Sequence, residues 1–260
     1  MPRVRLDSLL AERGLFASRS RAAAAVIAGQ VHVGPGRARA GKPGQLVADD
    51  VELGVDAPAP FVSRGGVKLA NALDALQVDV TGRHALDVGA STGGFTDCLL
   101  QRGAEHVIAL DVAYGELDWR LRGDDRVTVI ERVNARGLEP SQLPYAPDLV
   151  VVDVSFISLA KVLPAVLACT AERFDGLAMV KPQFEVGRGN VGKGGVVRDP
   201  PLRREAIASV ARAAGVAVMG FAPSGLPGPA GNRETFVWLA EPGRPGAVAD
   251  FGAALAEVDV

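Results

Sequence analysis

The chain has 260 residues, 48% hydrophobic and 22% charged, with a formal net charge of −2, a composition ordinary for a folded protein. Its apolar runs are strand-length and interrupted, which excludes a membrane-spanning stretch of about 20 residues, and Met1-Pro2-Arg3-Val4-Arg5-Leu6-Asp7 lacks the apolar centre of a signal peptide. Cys98 and Cys169 are far apart without metal-ligand spacing, as expected of reduced thiols in a cytoplasmic protein.

The small net charge hides an asymmetry. Residues 1–42 carry Arg3, Arg5, Arg13, Arg19, Arg21, Arg37, Arg39 and Lys42 against only Asp7 and Glu12. A basic head on an acidic body points to a polyanionic partner for the head. Leu6, Leu9 and Leu10 followed by Arg13-Gly14 predict a first helix. Ser18-Arg19 starts a second, Arg19 to Ala28, with Ala22, Ala23, Val26 and Ile27 as its apolar face and Gly29 as its stop. Val31-His32-Val33 and Val51-Glu52-Leu53 read as short strands, with a turn-rich loop from Gly34 to Gly44 between them. Ala57-Pro58-Ala59-Pro60 reads as a semi-rigid linker.

From Phe61 onward strands and helices alternate. Strands are expected at 84–89, 106–111, 126–130, 148–153, 176–181, 216–221 and 234–240, and helices at 66–77, 94–102, 158–172 and 201–214. That order predicts an α/β fold, a doubly wound sheet whose site lies at the C-terminal strand edge, preceded by a small α+β domain. The expected boundaries are 1–56 for the head, 57–64 for the linker and 65–260 for the body.

The segment Asp87-Val88-Gly89-Ala90-Ser91-Thr92-Gly93-Gly94-Phe95 ends a strand, turns on glycines and opens a helix. This is the geometry that grips a nucleotide-like cofactor. Its spacing is not the Gly-x-Gly-x-x-Gly of dinucleotide binders, and a carboxylate at the strand end suits a cationic ligand such as S-adenosylmethionine. Gly89, Gly93 and Gly94 are expected to let the backbone approach that ligand. Asp111, with Val112 after it, stands where an acidic residue bonds ribose hydroxyls. Asn134 is placed either against the adenine or as a loop cap. Asp153 and Lys181 close neighbouring strands and are expected to face each other, since charge at that edge is costly without a partner or a task. Lys68 lies on the first helix of the body, and Glu234 opens the last strand.

These residues resemble the Lys-Asp-Lys-Glu tetrad of FtsJ-like ribose 2′-O-methyltransferases. The head resembles the αL-type RNA-binding module of a ribosomal small-subunit protein, on Arg5-Leu6-Asp7, Gly14, Ser18-Arg19, Ala22, Ile27 and Gly29-Gln30-Val31-His32-Val33. The whole chain is similar to the TlyA family of rRNA methyltransferases, once named hemolysins. The most specific matches are Val62-Ser63-Arg64-Gly65-Gly66-x-Lys68-Leu69, the glycine loop, Asp153-Val154-Ser155-Phe156-Ile157, Val180-Lys181-Pro182-Gln183-Phe184 and Gly231-Asn232-x-Glu234.

The resemblance implies methylation of cytidine ribose in ribosomal RNA with S-adenosylmethionine, on a Rossmann-like methyltransferase domain. Lys181 would be the base, Asp153 would orient it, and Lys68 with Glu234 would position the ribose. Arg3, Arg5, Arg19, Arg21, Arg37, Arg39, Lys42, Arg64, Arg188, Lys193 and Arg198 are the residues expected to meet RNA. Some members of that family often carry Arg-x-Trp-Val between the two parts, where this chain has Ala59-Pro60-Phe61-Val62.

Gly187-Arg188-Gly189-Asn190-Val191-Gly192-Lys193-Gly194 nearly spells a Walker A loop, but Gly194 stands where the metal-binding hydroxyl is needed. Glu185 to Arg198 is instead expected to be a flexible basic lid. His32, His84 and His106 are scattered and predict no metal site. The protein is expected to be a monomer without membrane insertion. The rival reading is a non-catalytic RNA- or ribosome-binding protein on a vestigial methyltransferase fold.

Overall fold

The structure, a computed structural model, describes residues 3–56 and 59–260; the chain divides into two units, Met1–Ala59 and Pro60–Val260. Ala57 and Pro58 of the expected linker lie outside the described residues.

The first unit runs β1 (Arg3–Arg5), α1 (Leu6–Glu12), α2 (Arg19–Ile27), β2 (Val31–Val33), β3 (Ala38–Arg39), β4 (Leu46–Ala48) and β5 (Leu53–Val55). β1 pairs with β4, and β2 lies between β3 and β5, all antiparallel. Leu6, Leu9 and Leu10 of α1 pack on Ala22, Ala25 and Val26 of α2 and on Val31 and Val47. Ser18 caps α2 by accepting from Arg21 N. Two expectations are corrected here. Ile27 is 76% exposed, because the buried face of α2 runs through Ala22, Ala25 and Val26. The last strand starts at Leu53, because Ala48 to Val51 forms a turn closed by Val51 N donating to Ala48 O.

The second unit continues with α3 (Arg64–Leu76), β6 (His84–Val88), α4 (Gly94–Gln101), β7 (His106–Asp111), α5 (Trp119–Arg122), β8 (Val127–Glu131), β9 (Leu149–Val152), α6 (Leu163–Leu167), β10 (Asp175–Val180), α7 (Pro182–Glu185), α8 (Pro200–Ala213), β11 (Ala217–Pro223), β12 (Thr235–Ala240) and α9 (Phe251–Ala256). Its seven strands are ordered β11-β12-β10-β9-β6-β7-β8. β12 is antiparallel to both neighbours and the other pairings are parallel.

Alternate side chains of the central strands feed two cores. Leu86, Val88, Val150, Val152, Ala178 and Val180 pack on the face covered by α6 and α8. Ala85, Leu149, Val151, Leu177 and Met179 pack on the other, beneath α3 and α4. Burial on both faces explains why these strands read as unbroken apolar runs. Phe61 and Val62 seat on the second core, and Val62 N donates to Asp97 Oδ2 at 2.8 Å.

The helix expected at 158–172 is broken. Leu159–Lys161 forms a single 3₁₀ turn and α6 covers only Leu163–Leu167. Pro164 is confined to the first turn of a helix because it has no N–H and its ring clashes with the preceding turn, so the two pieces cannot merge.

Candidate active site

Strand order reverses between β6 and β9, so the crevice of this fold opens at their C-terminal ends. Asp153 N donates to Val88 O at 2.9 Å there, and Gly89 follows at φ +86. A Cβ on Gly89 would collide with the Asp153 carbonyl. One on Gly93 would strike Leu117 and Leu121, and one on Gly94 would meet Ser63 Oγ and the backbone of Gly65 and Gly66. At these three positions the protein's own packing already leaves no room for a side chain.

A cavity of about 530 Å³ opens at this crevice, within the usual range for small-molecule sites. Its walls include Gly89, Ser91, Asp111, Val112, Glu116, Asn134, Asp153, Ser155 and Phe156. Asp111 is locked in place, its Oδ2 accepting from Ser91 N at 2.7 Å and its Oδ1 from Ala113 N at 2.8 Å. Its remaining lone pairs can accept from hydroxyls. Asn134 Oδ1 caps a 3₁₀ turn by accepting from Arg136 N, the loop-capping alternative, while the residue also lines the cavity. Ser91 sits at φ +47, a conformation rare outside glycine, and its Oγ donates to Glu116 Oε2 at 3.0 Å. Among the described residues no lysine or arginine pairs with Asp111 or Glu116. With Asp153, three carboxylates line one cavity; Lys181 offsets the charge of Asp153, and the other two suit a ligand bearing positive charge.

A smaller cavity of about 140 Å³ adjoins it, sharing Gly89, Ser91 and Asp153, and is also lined by Lys68, Ala90, Thr92, Gly94 and Phe95. Lys68 and Asp153, 85 positions apart in the sequence, thus line the same cavity. Lys68 Nζ pairs with Glu234 Oε2, with both side chains buried. Lys181 Nζ lies 2.5 Å from Asp153 Oδ1 and donates a hydrogen bond to Ser155 Oγ at 2.8 Å. The contact with Asp153 is an ion contact without hydrogen-bond geometry, since Oδ1 has no hydrogen-bond partner. Glu234 reaches this edge because β12 is antiparallel: Thr235 pairs with Val180, so Glu234 and Lys181 are the next residues beyond that pair.

A third cavity of about 560 Å³ is walled by Arg136, Phe156, Ile157, Ser158, Lys161, Gln183 and Phe184. Phe156 and Ile157 also line the 530 Å³ cavity, so the two spaces share a wall. Phe156 is 92% exposed at φ +64, with its ring centroid 5.2 Å from that of Phe184. An exposed aromatic held in this backbone at a cavity rim offers a face on which a flat group can stack. Sequence reasoning quoted Phe156 and Phe184 inside motifs and gave them no role, and it passed over Arg136, Lys161 and Glu116. The readable signal was an aromatic three residues after each charged strand end, Phe156 after Asp153 and Phe184 after Lys181.

The nominated basic residues differ in how free they are. Arg5 and Arg19 share the buried Asp7, at 2.7 and 3.3 Å. Arg37 pairs with Asp56, and Arg39 donates to Ala28 O. Among the described residues no carboxylate pairs with Arg3, Arg21 or Lys42, and all three are exposed. Arg64 donates to Pro227 O at 2.9 Å. The side chain of Arg188 lies outside the described residues, and Lys193 and Arg198 are exposed. The segment expected as a flexible lid is tied down by the buried Asn232. Its Oδ1 accepts from Val197 N at 2.9 Å and its Nδ2 donates to Gly195 O at 2.8 Å.

Asp87 is placed differently from the expectation. It is fully buried, on the wall of none of these cavities, and its Oδ2 accepts from Thr96 N and Oγ1 at 2.9 and 2.7 Å. Burial pushes its carboxyl from the ordinary 3.8 up to about 7, the hydrogen bonds from Thr96 opposing and the charges of Asp153 and Asp111 adding to it. Between those two values the folded chain holds a proton that the unfolded chain has lost. Stability contributed by Asp87 is therefore present below pH 4 and declines as pH rises through about 7. The melting temperature of Asp87→Asn should fall less than that of wild type between pH 5 and 8, and identical slopes would remove this carboxyl as the titrating group.

Among the described residues no helix is long and apolar enough to cross a membrane. The FtsJ-like methyltransferase family matches residues 61–241. The chain is 52% identical over 242 residues to the 16S/23S rRNA (cytidine-2′-O)-methyltransferase TlyA of Mycobacterium tuberculosis, covering 91% of this chain and 90% of that protein. It is 38% identical to Hemolysin A of Brachyspira hyodysenteriae, covering 78% and 84%. A hemolysin-named structure from Streptococcus thermophilus superposes with a TM-score of 0.74 at 38% identity, covering 98% and 95%. With the family match spanning most of the second unit and the relatives spanning most of the chain, this protein belongs to the FtsJ-like methyltransferases, in the TlyA family.

Proposed function

We propose that this protein transfers a methyl group from S-adenosylmethionine to the 2′-hydroxyl of a cytidine in ribosomal RNA. The observation that carries the reading is Lys181, held by Asp153 and Ser155, both of which line the cavity of three carboxylates. When bound there, S-adenosylmethionine supplies an electrophilic methyl on a sulfonium whose sulfur leaves as a neutral thioether.

The chain's residues do the rest. Asp111 would accept from the cofactor ribose, and Asn134 and Val112 would flank its adenine. Lys181 Nζ takes the proton from the 2′-hydroxyl, which makes its oxygen the nucleophile that the bound cofactor would methylate. Asp153 stabilises the resulting ammonium. Lys68 and Glu234 form the floor beside the reacting ribose and keep its charge balanced. Phe156 stacks on the target base at the rim of the third cavity, with Arg136 and Lys161 on the flanking phosphates. In the head, Arg3, Arg21 and Lys42 give the phosphate contacts, while Arg5 and Arg19 are held in fixed directions by Asp7. Such a surface reads shape and backbone, so a folded RNA is the substrate.

The test is transfer of a labelled methyl group from S-adenosylmethionine to purified small and large ribosomal subunits that lack the modification, with wild type and Asp153→Ala in parallel. Incorporation by wild type alone, mapped to a cytidine ribose, is the expected result. Absence of incorporation on both subunits, with cofactor binding measured, would favour a binding protein on a vestigial fold.

A further inference from the structure

We infer that Ser155 is a positioning residue for the transfer step, its hydroxyl setting the direction in which Lys181 presents its amine to the ribose. This rests on the reading of Lys181 as the base. Asp153 and Ser155 hold the same nitrogen in different ways. Asp153 Oδ1 is 2.5 Å away without hydrogen-bond alignment, and Coulomb attraction at that distance constrains position far more than angle. Ser155 Oγ accepts a hydrogen bond from Nζ at 2.8 Å, and a hydrogen bond weakens steeply when it is bent. Asp153 therefore supplies charge and Ser155 supplies direction.

Direction matters because lysine is a poorly aimed base. Its ammonium rides on four flexible carbons and can rotate. Nζ has three tetrahedral positions besides its bond to Cε. One N–H is held on Ser155, which sets the rotation about the Cε–Nζ bond and so the direction of the position that faces the ribose. When the amine is neutral its lone pair takes that position and meets the 2′-hydroxyl. The proton moves from the hydroxyl to Nζ, the oxygen bonds the methyl carbon, the carbon–sulfur bond breaks and its electron pair stays on sulfur. Ser155 exchanges no proton in this step.

Ser155 can act this way because its loop is itself fastened to that of Lys181. β9 and β10 are adjacent and parallel, so the segments after Val152 and Val180 leave the sheet side by side. They are tied again where Phe156 meets Phe184 and where Glu185 accepts from Ser158 Oγ at 2.6 Å and from Leu159 N at 2.9 Å. The serine acceptor is thus fixed relative to the lysine donor by three links on either side of the reacting amine.

The experiment compares Ser155→Ala, Ser155→Thr and Lys181→Ala with wild type, in single-turnover methyl transfer to ribosomal subunits at saturating S-adenosylmethionine. Cofactor affinity is measured by calorimetry on the same proteins, because Ser155 also lines that cavity. Ser155→Ala should lose roughly 10- to 100-fold in rate, the scale of a misaimed reacting group, with cofactor affinity near wild type. Threonine, which keeps the hydroxyl, should recover most of the loss. A wild-type rate in Ser155→Ala, a deficit explained by cofactor affinity, or no recovery in Ser155→Thr would each overturn the inference. If Lys181→Ala is dead while Ser155→Ala is fully active, the role of Ser155 falls and the base stands. If Lys181→Ala turns over, the base reading fails and this inference with it.

Discussion

Lys181→Ala should lose methyl transfer by about 10²- to 10⁴-fold, the usual range for a general base, while S-adenosylmethionine binds as before. The residue lies outside the walls of the carboxylate cavity and touches it only through Asp153 and Ser155, so its removal leaves the cofactor's contacts in place. Lys181→Arg separates two roles that alanine removes together. Arginine keeps the positive charge but stays protonated in proteins, so it can stabilise negative charge and cannot accept a proton. If the amine is the base, the arginine variant is as slow as alanine. If Lys181 serves only to stabilise charge, arginine retains a substantial part of the rate. Single-turnover transfer to ribosomal subunits, with cofactor affinity determined in parallel, decides between them.

The two largest inferences from sequence rested on local chemistry, and local chemistry is what a sequence displays. Asp153 and Lys181 each end an apolar strand run. Two such strands adjacent and parallel bring their last residues together, and the structure puts Lys181 Nζ beside Asp153 Oδ1. Lys68 was nominated by its motif, but its partner depends on the direction of β12, and no period or turn residue in 234–240 states that this strand runs antiparallel. The same holds for Asp87. Its place at a strand end suggested a ligand, whereas strand alternation turns it under α4, where Thr96 takes one carboxylate oxygen.

The misplaced elements have equally specific causes. Pro164 divided what looked like one long helix, and the turn at Asp49-Asp50 delayed a strand by two residues. The spacing of Phe156 from Asp153 was legible but its exposure was not, because that depends on a backbone in the left-handed region, which a phenylalanine does not advertise. Charge counting found the basic head but could not tell Arg21, which has no carboxylate partner among the described residues, from Arg37, which is held by Asp56.

The pair Lys68–Glu234 carries the second large prediction. Both side chains are nearly removed from water, at 9% and 1% exposed, so neither charge can be left alone without cost. Glu234→Ala should destabilise the protein by about 3–5 kcal/mol, the range found when one partner of a buried ion pair is removed. In a unit of this size that corresponds to a melting temperature lower by on the order of 10 °C. The double replacement Lys68→Met with Glu234→Leu should restore most of that stability, because an apolar pair of similar volume pays no desolvation. Calorimetric melting of the single and double variants tests this directly. The decisive comparison is then with methyl transfer. A double variant that is stable yet inactive means the pair is retained for the reacting ribose and not for the fold. A double variant that is stable and active would remove Lys68 and Glu234 from the catalytic group and leave Lys181 and Asp153 to act with Ser155 alone.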